Sequence, residues 1–222
     1  GNRIVQSSCL KSDPNKLLLS YTRHMMIILL FSQNPQKALH IGLGGGSIPL
    51  FLDKEYPNLY QTIIEINKSV VNAAKLYFGF KEGLRKKIII SDATEIISKI
   101  KEKYDLIFVD AFGPNGAPKK LQYGPFLEQI YQNLESNGWA VGNYWTLDPF
   151  YPVQLSKWIS VFDEVFQVRA RPTGNMILFG KKKGKKCSIN QDLQNLSFKA
   201  EMFREKTGLE LNKMIDNLKK IK

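Results

Sequence analysis

Cysteine and histidine are scarce, with two of each in 222 residues. Cys9 and Cys187 stand far apart and form neither a CxxC pair nor a Cys/His cluster. That excludes a metal site of the zinc-finger kind and a disulfide framework, and it fits reduced cytoplasmic thiols. Long apolar runs are missing too. "MMIILLF" (25–31) is too short to cross a bilayer, and Ser20, Tyr21, Thr22, Arg23 and His24 interrupt it upstream. It reads as a buried helix segment. No signal-peptide pattern, internal repeat or low-complexity linker is visible, so a cytoplasmic location without a membrane partner is expected. Acidic residues are outnumbered, 20 against 32 Lys+Arg, for a net charge of +12. The excess is uneven. Residues 179–222 carry 12 Lys+Arg against 5 Asp+Glu, a net +7, which leaves +5 for the other 178 residues. The run "KKKGKK" (181–186) opens this basic tail. A solvated surface is its first reading, and a nucleic-acid partner ranks second.

What the chain does have is a regular alternation of strand and helix patterns. "KALHIGL", "QTIIEI", "KKIIISD", "YDLIFVDAF" and "GWAVGNYW" read as five strands, each followed by a helical stretch. Asn67 is placed to cap the helix after the second strand. Five such units predict a parallel sheet covered on both faces. "EVFQVRAR" and "GNMILFGKK" follow, separated only by the turn at Pro172, Thr173 and Gly174. No crossover helix fits there, so the two pair as an antiparallel hairpin. The expected fold is α/β: a doubly wound, mostly parallel seven-stranded sheet with an antiparallel C-terminal hairpin strand, of the methyltransferase-like Rossmann kind. Residues 1–184 are expected to form this α/β domain, with a helical lead-in. Residues 185–222 form a basic helical extension, with "LELNKMIDNLKKIK" (209–222) read as helix.

"ALHIGLGGGSIPLFL" (38–52) places Gly42, Gly44, Gly45 and Gly46 where the first strand hands over to the first helix of the sheet. Ligands of open α/β sheets bind at such carboxyl ends. The spacing is Gly42-x-Gly44-x-Gly46, with Ser47 at the third glycine of a dinucleotide fingerprint. That substitution, with the terminal hairpin, disfavours a nicotinamide dehydrogenase. Glu65, Asp92 and Asp110 end the second, third and fourth strands on the same edge. Three acids would repel a pyrophosphate but suit a cationic nucleoside. Glu65 can take ribose hydroxyls and Asp92 the adenine amino group, with Ile66 and Ala93 beside them. Asp110 is left for the reacting centre. The expected co-substrate is a sulfonium nucleoside, decarboxylated S-adenosylmethionine or S-adenosylmethionine, with no metal.

"YTRHMM", "ALHIGLGGG", "IIEINKSVVNAAKLYFG", "ISDATEII", "YDLIFVDAFGPNGAP" and "LQYGPFLEQIYQNLESNGWAVGN" together resemble the spermidine synthase (aminopropyltransferase) family, over roughly residues 6–145. The resemblance implies that Glu65 holds ribose, Asp92 holds adenine, Asp110 is catalytic and Tyr21 lines the amine pocket. Tyr123 and Asp148 are further candidate pocket walls, and Gln6 resembles a family glutamine near the nucleoside. The implied reaction is aminopropyl transfer to a small amine such as putrescine. Two family acids are replaced: the glycine-loop Asp falls on Gly45, and the second Asp of D-x-x-D-P falls on Gly113. Only 20 residues precede Tyr21, where the family carries an N-terminal β-domain. With sheet edges exposed, a homodimer is expected.

Two other readings stay open. One is a methyltransferase using intact S-adenosylmethionine, favoured by the lost acid at Gly45. No Asn/Asp-Pro-Pro-Tyr element follows the fourth strand, which counts against methylation of base amines. The other is a nucleoside- or RNA-binding module without turnover, suggested by the basic tail. His40 reads as a satisfied core histidine. His24, three residues after Tyr21, is a weaker candidate for the site.

Overall fold

In β4 (Tyr104–Val109) five of the six residues are buried or nearly so, the pattern of a strand covered on both faces. Its side chains alternate. Leu106 and Phe108 enter one apolar cluster, while Ile107 and Val109 enter another across the sheet. The computed structural model describes residues 7–32, 34–111, 119–121, 124–184 and 195–222. The other strands are β1 (Lys37–Ile41), β2 (Tyr60–Glu65), β3 (Lys86–Ile90), β5 (Leu134–Trp145), β6 (Glu164–Ala170), β7 (Asn175–Lys181) and β8 (Lys219–Lys220). They form one sheet in the order β3-β2-β1-β4-β5-β7-β6-β8. β1 to β5 run parallel, and β7 pairs antiparallel with both β5 and β6.

The first face is covered by α1 (Ser20–Met25), α2 (Ile28–Phe31), α3 (Ser47–Glu55) and α8 (Leu196–Thr207). Phe31 stacks on Trp139 of β5 with ring centroids 4.3 Å apart. The "MMIILLF" run is buried here as expected, although a turn at Met26 and Ile27 splits it between α1 and α2. The second face is covered by α5 (Ala93–Ile96), α6 (Gly124–Asn133) and α7 (Tyr151–Val161). α4 (Lys68–Tyr77) closes a third cluster with Ile63 and Phe80. Asn67 caps α4 as predicted, its side chain accepting from the Ser69 N–H at 2.8 Å.

The chain departs from expectation after α8. Gly208, in the left-handed conformation with φ 71°, ends that helix. The one-turn α9 (Asn212–Ile215) follows, and then β8 pairs antiparallel with β6. Residues 209–222 are therefore not one helix, and the sheet has eight strands rather than seven. The strand wins because its cations find partners along β6 and α7. Lys220 Nζ bonds the buried Glu164 carboxylate, and Lys222 Nζ donates to the carbonyls of Ile159 and Phe162 at the end of α7. Among the described residues no helix is long and apolar enough to cross a membrane.

Candidate active site

The strand order reverses between β1 and β4, so the crevice at their carboxyl ends is where a ligand of this fold fits. Backbone pairing carries on past the strand ends and fixes the geometry there. The Asp110 N–H donates to the Ile41 carbonyl at 2.9 Å, and the Gly42 N–H donates to the Ile64 carbonyl at 2.8 Å. Ser91 N–H donates to the Glu65 carbonyl at 3.1 Å. The glycine loop, Glu65, Asp92 and Asp110 are thereby brought to one edge, as the sequence predicts.

Gly42 explains part of the loop composition. Its φ is +95°, and a Cβ there would sit 2.4 Å from the Asp110 carbonyl oxygen. No side chain fits between the ends of β1 and β4. Gly44 and Gly46 also have positive φ, and Gly46 precedes α3. Gly45 is different. A Cβ at that position would meet the Phe78 ring at 2.7 Å and Ser7 Cβ at 3.0 Å. Ser7 Oγ accepts from the Gly45 N–H at 2.8 Å.

Glu65 is buried, and both of its oxygens hold backbone. Oε2 accepts from the Leu43 N–H and Oε1 from the Asn67 N–H, each at 2.9 Å. The carboxylate thus ties the glycine loop to the start of α4. Each oxygen keeps a second lone pair for a further donor. Ile66, next in line, is 66% exposed, an apolar surface open beside that carboxylate. Asp92 caps α5 through Oδ1, which accepts from the Thr94 N–H and hydroxyl at 2.9 and 2.7 Å. Ala93, the first residue of α5, is buried.

Asp110 follows Leu106 and Phe108 on the α1 face of β4. Two side chains converge on its carboxyl. Asn143 Nδ2 donates to Oδ1 at 3.0 Å, and the Tyr21 hydroxyl donates from α1. Burial raises the Asp110 pKa above the usual carboxylate range, and the two hydrogen bonds oppose that rise. Burial also raises the Tyr21 pKa, reinforced by the Asp110 charge and the shared hydrogen bond. Tyr21 therefore stays a neutral donor at physiological pH.

Several other candidates lie elsewhere. His24 is buried on its own helix, with Nδ1 on the Ser20 carbonyl at 2.8 Å, and burial lowers its pKa. Asp148 serves the turn before α7, accepting from the Phe150 N–H at 2.9 Å. His40 is a core residue, bonded to Gln61 at 3.0 Å and stacked on Phe108. Gln6, Gly113 and Tyr123 lie outside the described residues. Among the described residues no cluster of three or more His, Cys, Asp or Glu could hold a metal.

Asn143 was not among the residues singled out from the sequence, and neither were Ser7 and Phe78. A signal for Asn143 does exist. Trp139 and Val141 point into the α1-side core, so period two puts Asn143 on that same face. A polar residue at a core-facing position next to a strand end marks a site.

The chain is similar to known proteins over most of its length. The spermine/spermidine synthase domain family matches residues 18–146, a span that includes Tyr21, the glycine loop, Glu65, Asp92, Asp110 and Asn143. A polyamine aminopropyltransferase from Neisseria meningitidis is 33% identical over 222 residues, 99% of this chain and 83% of that protein. Among solved structures, human methyltransferase-like protein 13 in complex with SAH has a TM-score of 0.75 at 24% identity, covering 83% of this chain and 92% of that one. A spermidine synthase in complex with the transition-state analogue AdoDATO has a TM-score of 0.62 at 21% identity, covering 86% of this chain and 75% of that one. Both share the fold. With the matched span reaching from α1 to the end of β5, the chain belongs to the spermine/spermidine synthase domain family.

Proposed function

We propose that this protein is an aminopropyltransferase that takes decarboxylated S-adenosylmethionine as donor and a small amine such as putrescine as acceptor. The observation that carries the reading is the Asp110 carboxyl, held by Tyr21 and Asn143 at the switch point of a sheet whose glycine loop is braced by Glu65. The near-full-length likeness to a polyamine aminopropyltransferase supports the same reaction.

The sulfonium donor supplies an activated carbon and a neutral thioether leaving group. The harder requirement is an unprotonated acceptor nitrogen, because an alkyl ammonium has a pKa near about 10. In the reaction the nitrogen forms a bond to the carbon beside sulfur, the carbon–sulfur bond breaks, and its electron pair stays on sulfur. Asp110 accepts the proton that the nitrogen loses. Its raised pKa makes it a better base than a surface carboxylate. Tyr21 and Asn143 keep the carboxyl oriented, and the Tyr21 ring offers an ammonium about 0.5–2 kcal/mol of cation–π attraction. Glu65 receives the ribose hydroxyls on its remaining lone pairs. Asp92, bonded within the chain through Oδ1, uses Oδ2 for the adenine amino group. Ile66 and Ala93 flank the base, and Gly42, Gly44 and Gly46 let the backbone approach the nucleoside.

One observation favours a second reading. The space that a side chain at Gly45 would take is filled by Phe78, so the loop presents no acid there to prefer an ammonium tail over an amino acid tail. Competition calorimetry with the two nucleosides separates the readings. Tighter binding of decarboxylated S-adenosylmethionine supports aminopropyl transfer. Tighter binding of the intact form assigns methyl transfer instead.

A further inference from the structure

Period-two alternation lines up three polar residues where three neighbouring strands leave the core. Asp110 follows Leu106 and Phe108 of β4, Asn143 follows Trp139 and Val141 of β5, and Asn175 precedes Ile177 and Phe179 of β7. The register puts Asn143 opposite Ile177, so Asn175 lies diagonally next to it. Asn175 Nδ2 donates to Asn143 Oδ1 at 2.9 Å, and Asn143 Nδ2 donates to Asp110 Oδ1 at 3.0 Å. The three side chains form one directed row across the sheet, and Tyr21 meets its far end from α1.

A carboxamide has a donor end and an acceptor end of nearly equal size, so its partners decide which way it points. Asn143 is 4% exposed, so water has little access to compensate a reversal. An ionised Asp110 requires the donor end. A protonated Asp110 would accept either end, and the oxygen end would stabilise the acid by receiving its proton. While Asn175 keeps its Nδ2 on the Asn143 oxygen, that second arrangement forfeits a part-buried hydrogen bond.

We propose that Asn175 is a positioning residue for the transfer reaction, holding the Asn143 amide in the one orientation that serves Asp110 as a base. Its catalytic consequence rests on the reading of Asp110 as proton acceptor, while the orientation itself rests on the two hydrogen bonds. Among the described residues, the groups that bond the Asp110 carboxyl are Tyr21 from α1 and Asn143 from β5. Asn175 acts only through the second of them.

The test compares the full chain with Asn175→Leu, Asn143→Leu and the double variant, using decarboxylated S-adenosylmethionine and putrescine. Asn175→Leu is expected to lower kcat about tenfold and to move the acid limb of its pH profile upward, with KM for the nucleoside unchanged within about threefold. On the Asn143→Leu background the same change is expected to cost less than about twofold, because the residue it acts through is gone. An unchanged kcat and acid limb, or losses that multiply, overturn the proposal. A second readout needs no turnover: carbon-13 NMR titration of the Asp110 carboxyl in the ligand-free protein. Its midpoint is expected at higher pH in Asn175→Leu, and in Asn175→Ala should the leucine variant not fold, than in the native chain. Equal midpoints overturn the proposal even if the protein proves to catalyse another reaction.

Discussion

Gly42 and Asp110 touch through their backbones at the carboxyl ends of β1 and β4. A Cβ on Gly42 would lie 2.4 Å from the Asp110 carbonyl oxygen. The glycine loop is thus also the wall that positions the candidate base. Gly42→Ala combines a strained positive φ with a backbone clash, so it should both destabilise the fold and displace Asp110. The expected outcome is a lowered Tm and a kcat reduced by at least about tenfold, read by thermal melts and steady-state turnover. A Gly42→Ala protein with native Tm and kcat would contradict the close approach.

Asp110→Asn separates catalysis from stability. Turnover should fall about 10²-fold or more, the usual worth of a positioned base, while nucleoside affinity by calorimetry stays within about threefold. Stability should move the other way. Because the folded pKa is raised, the unfolded chain ionises first, and the native state is penalised as pH climbs from the ordinary carboxylate value of about 3.9 toward the folded one. The Asn variant escapes that penalty. Its Tm should exceed the native one at pH 7–8, with the gain disappearing below pH ~4.

Phe78 stands where a side chain at position 45 would go. Gly45→Ala should therefore be destabilising by about 1–3 kcal/mol, the ordinary cost of overpacking. Phe78→Ala opens the space, and the double variant should lose less than the two single changes combined. Denaturant melts of the four proteins check this. Simple additivity would mean that the ring is not what excludes the side chain.

His40 supplies an acid-side limit to stability. Buried between Gln61 and Phe108, it has a pKa pushed down to about 3 by desolvation. Its folded pKa lies below the unfolded value of about 6.5, so the stability present above pH 6.5 is lost as pH falls toward 3. Replacing the pair, His40→Phe with Gln61→Leu, removes the titrating group without stranding its partner. Tm should then fall less steeply between pH 6.5 and 4 than in the native chain.

Much of this was legible in the sequence. Apolar strand cores bounded by helical periods gave β1 to β5. The absence of a crossover between "EVFQVRAR" and "GNMILFGKK" gave the hairpin. The carboxyl ends of those strands then named Glu65, Asp92 and Asp110. What stayed hidden depends on register and on side-chain proximity. The Asn143–Asn175 bond needs the β5–β7 pairing to align residues 32 positions apart. The filling of the Gly45 space by Phe78 and Ser7 is a tertiary contact with no local pattern. β8 is two residues long, too short for any periodicity, and it is held by Lys220 on Glu164, 56 positions away.

The central claim is aminopropyl transfer at Asp110, and a product assay tests it most directly. The purified chain is incubated with decarboxylated S-adenosylmethionine and putrescine, and the products are read by mass spectrometry. The account predicts methylthioadenosine and spermidine in equal amounts, both lost in Asp110→Asn. Neither product from this pair, with the nucleoside still bound and intact S-adenosylmethionine consumed to a methylated acceptor, would contradict it.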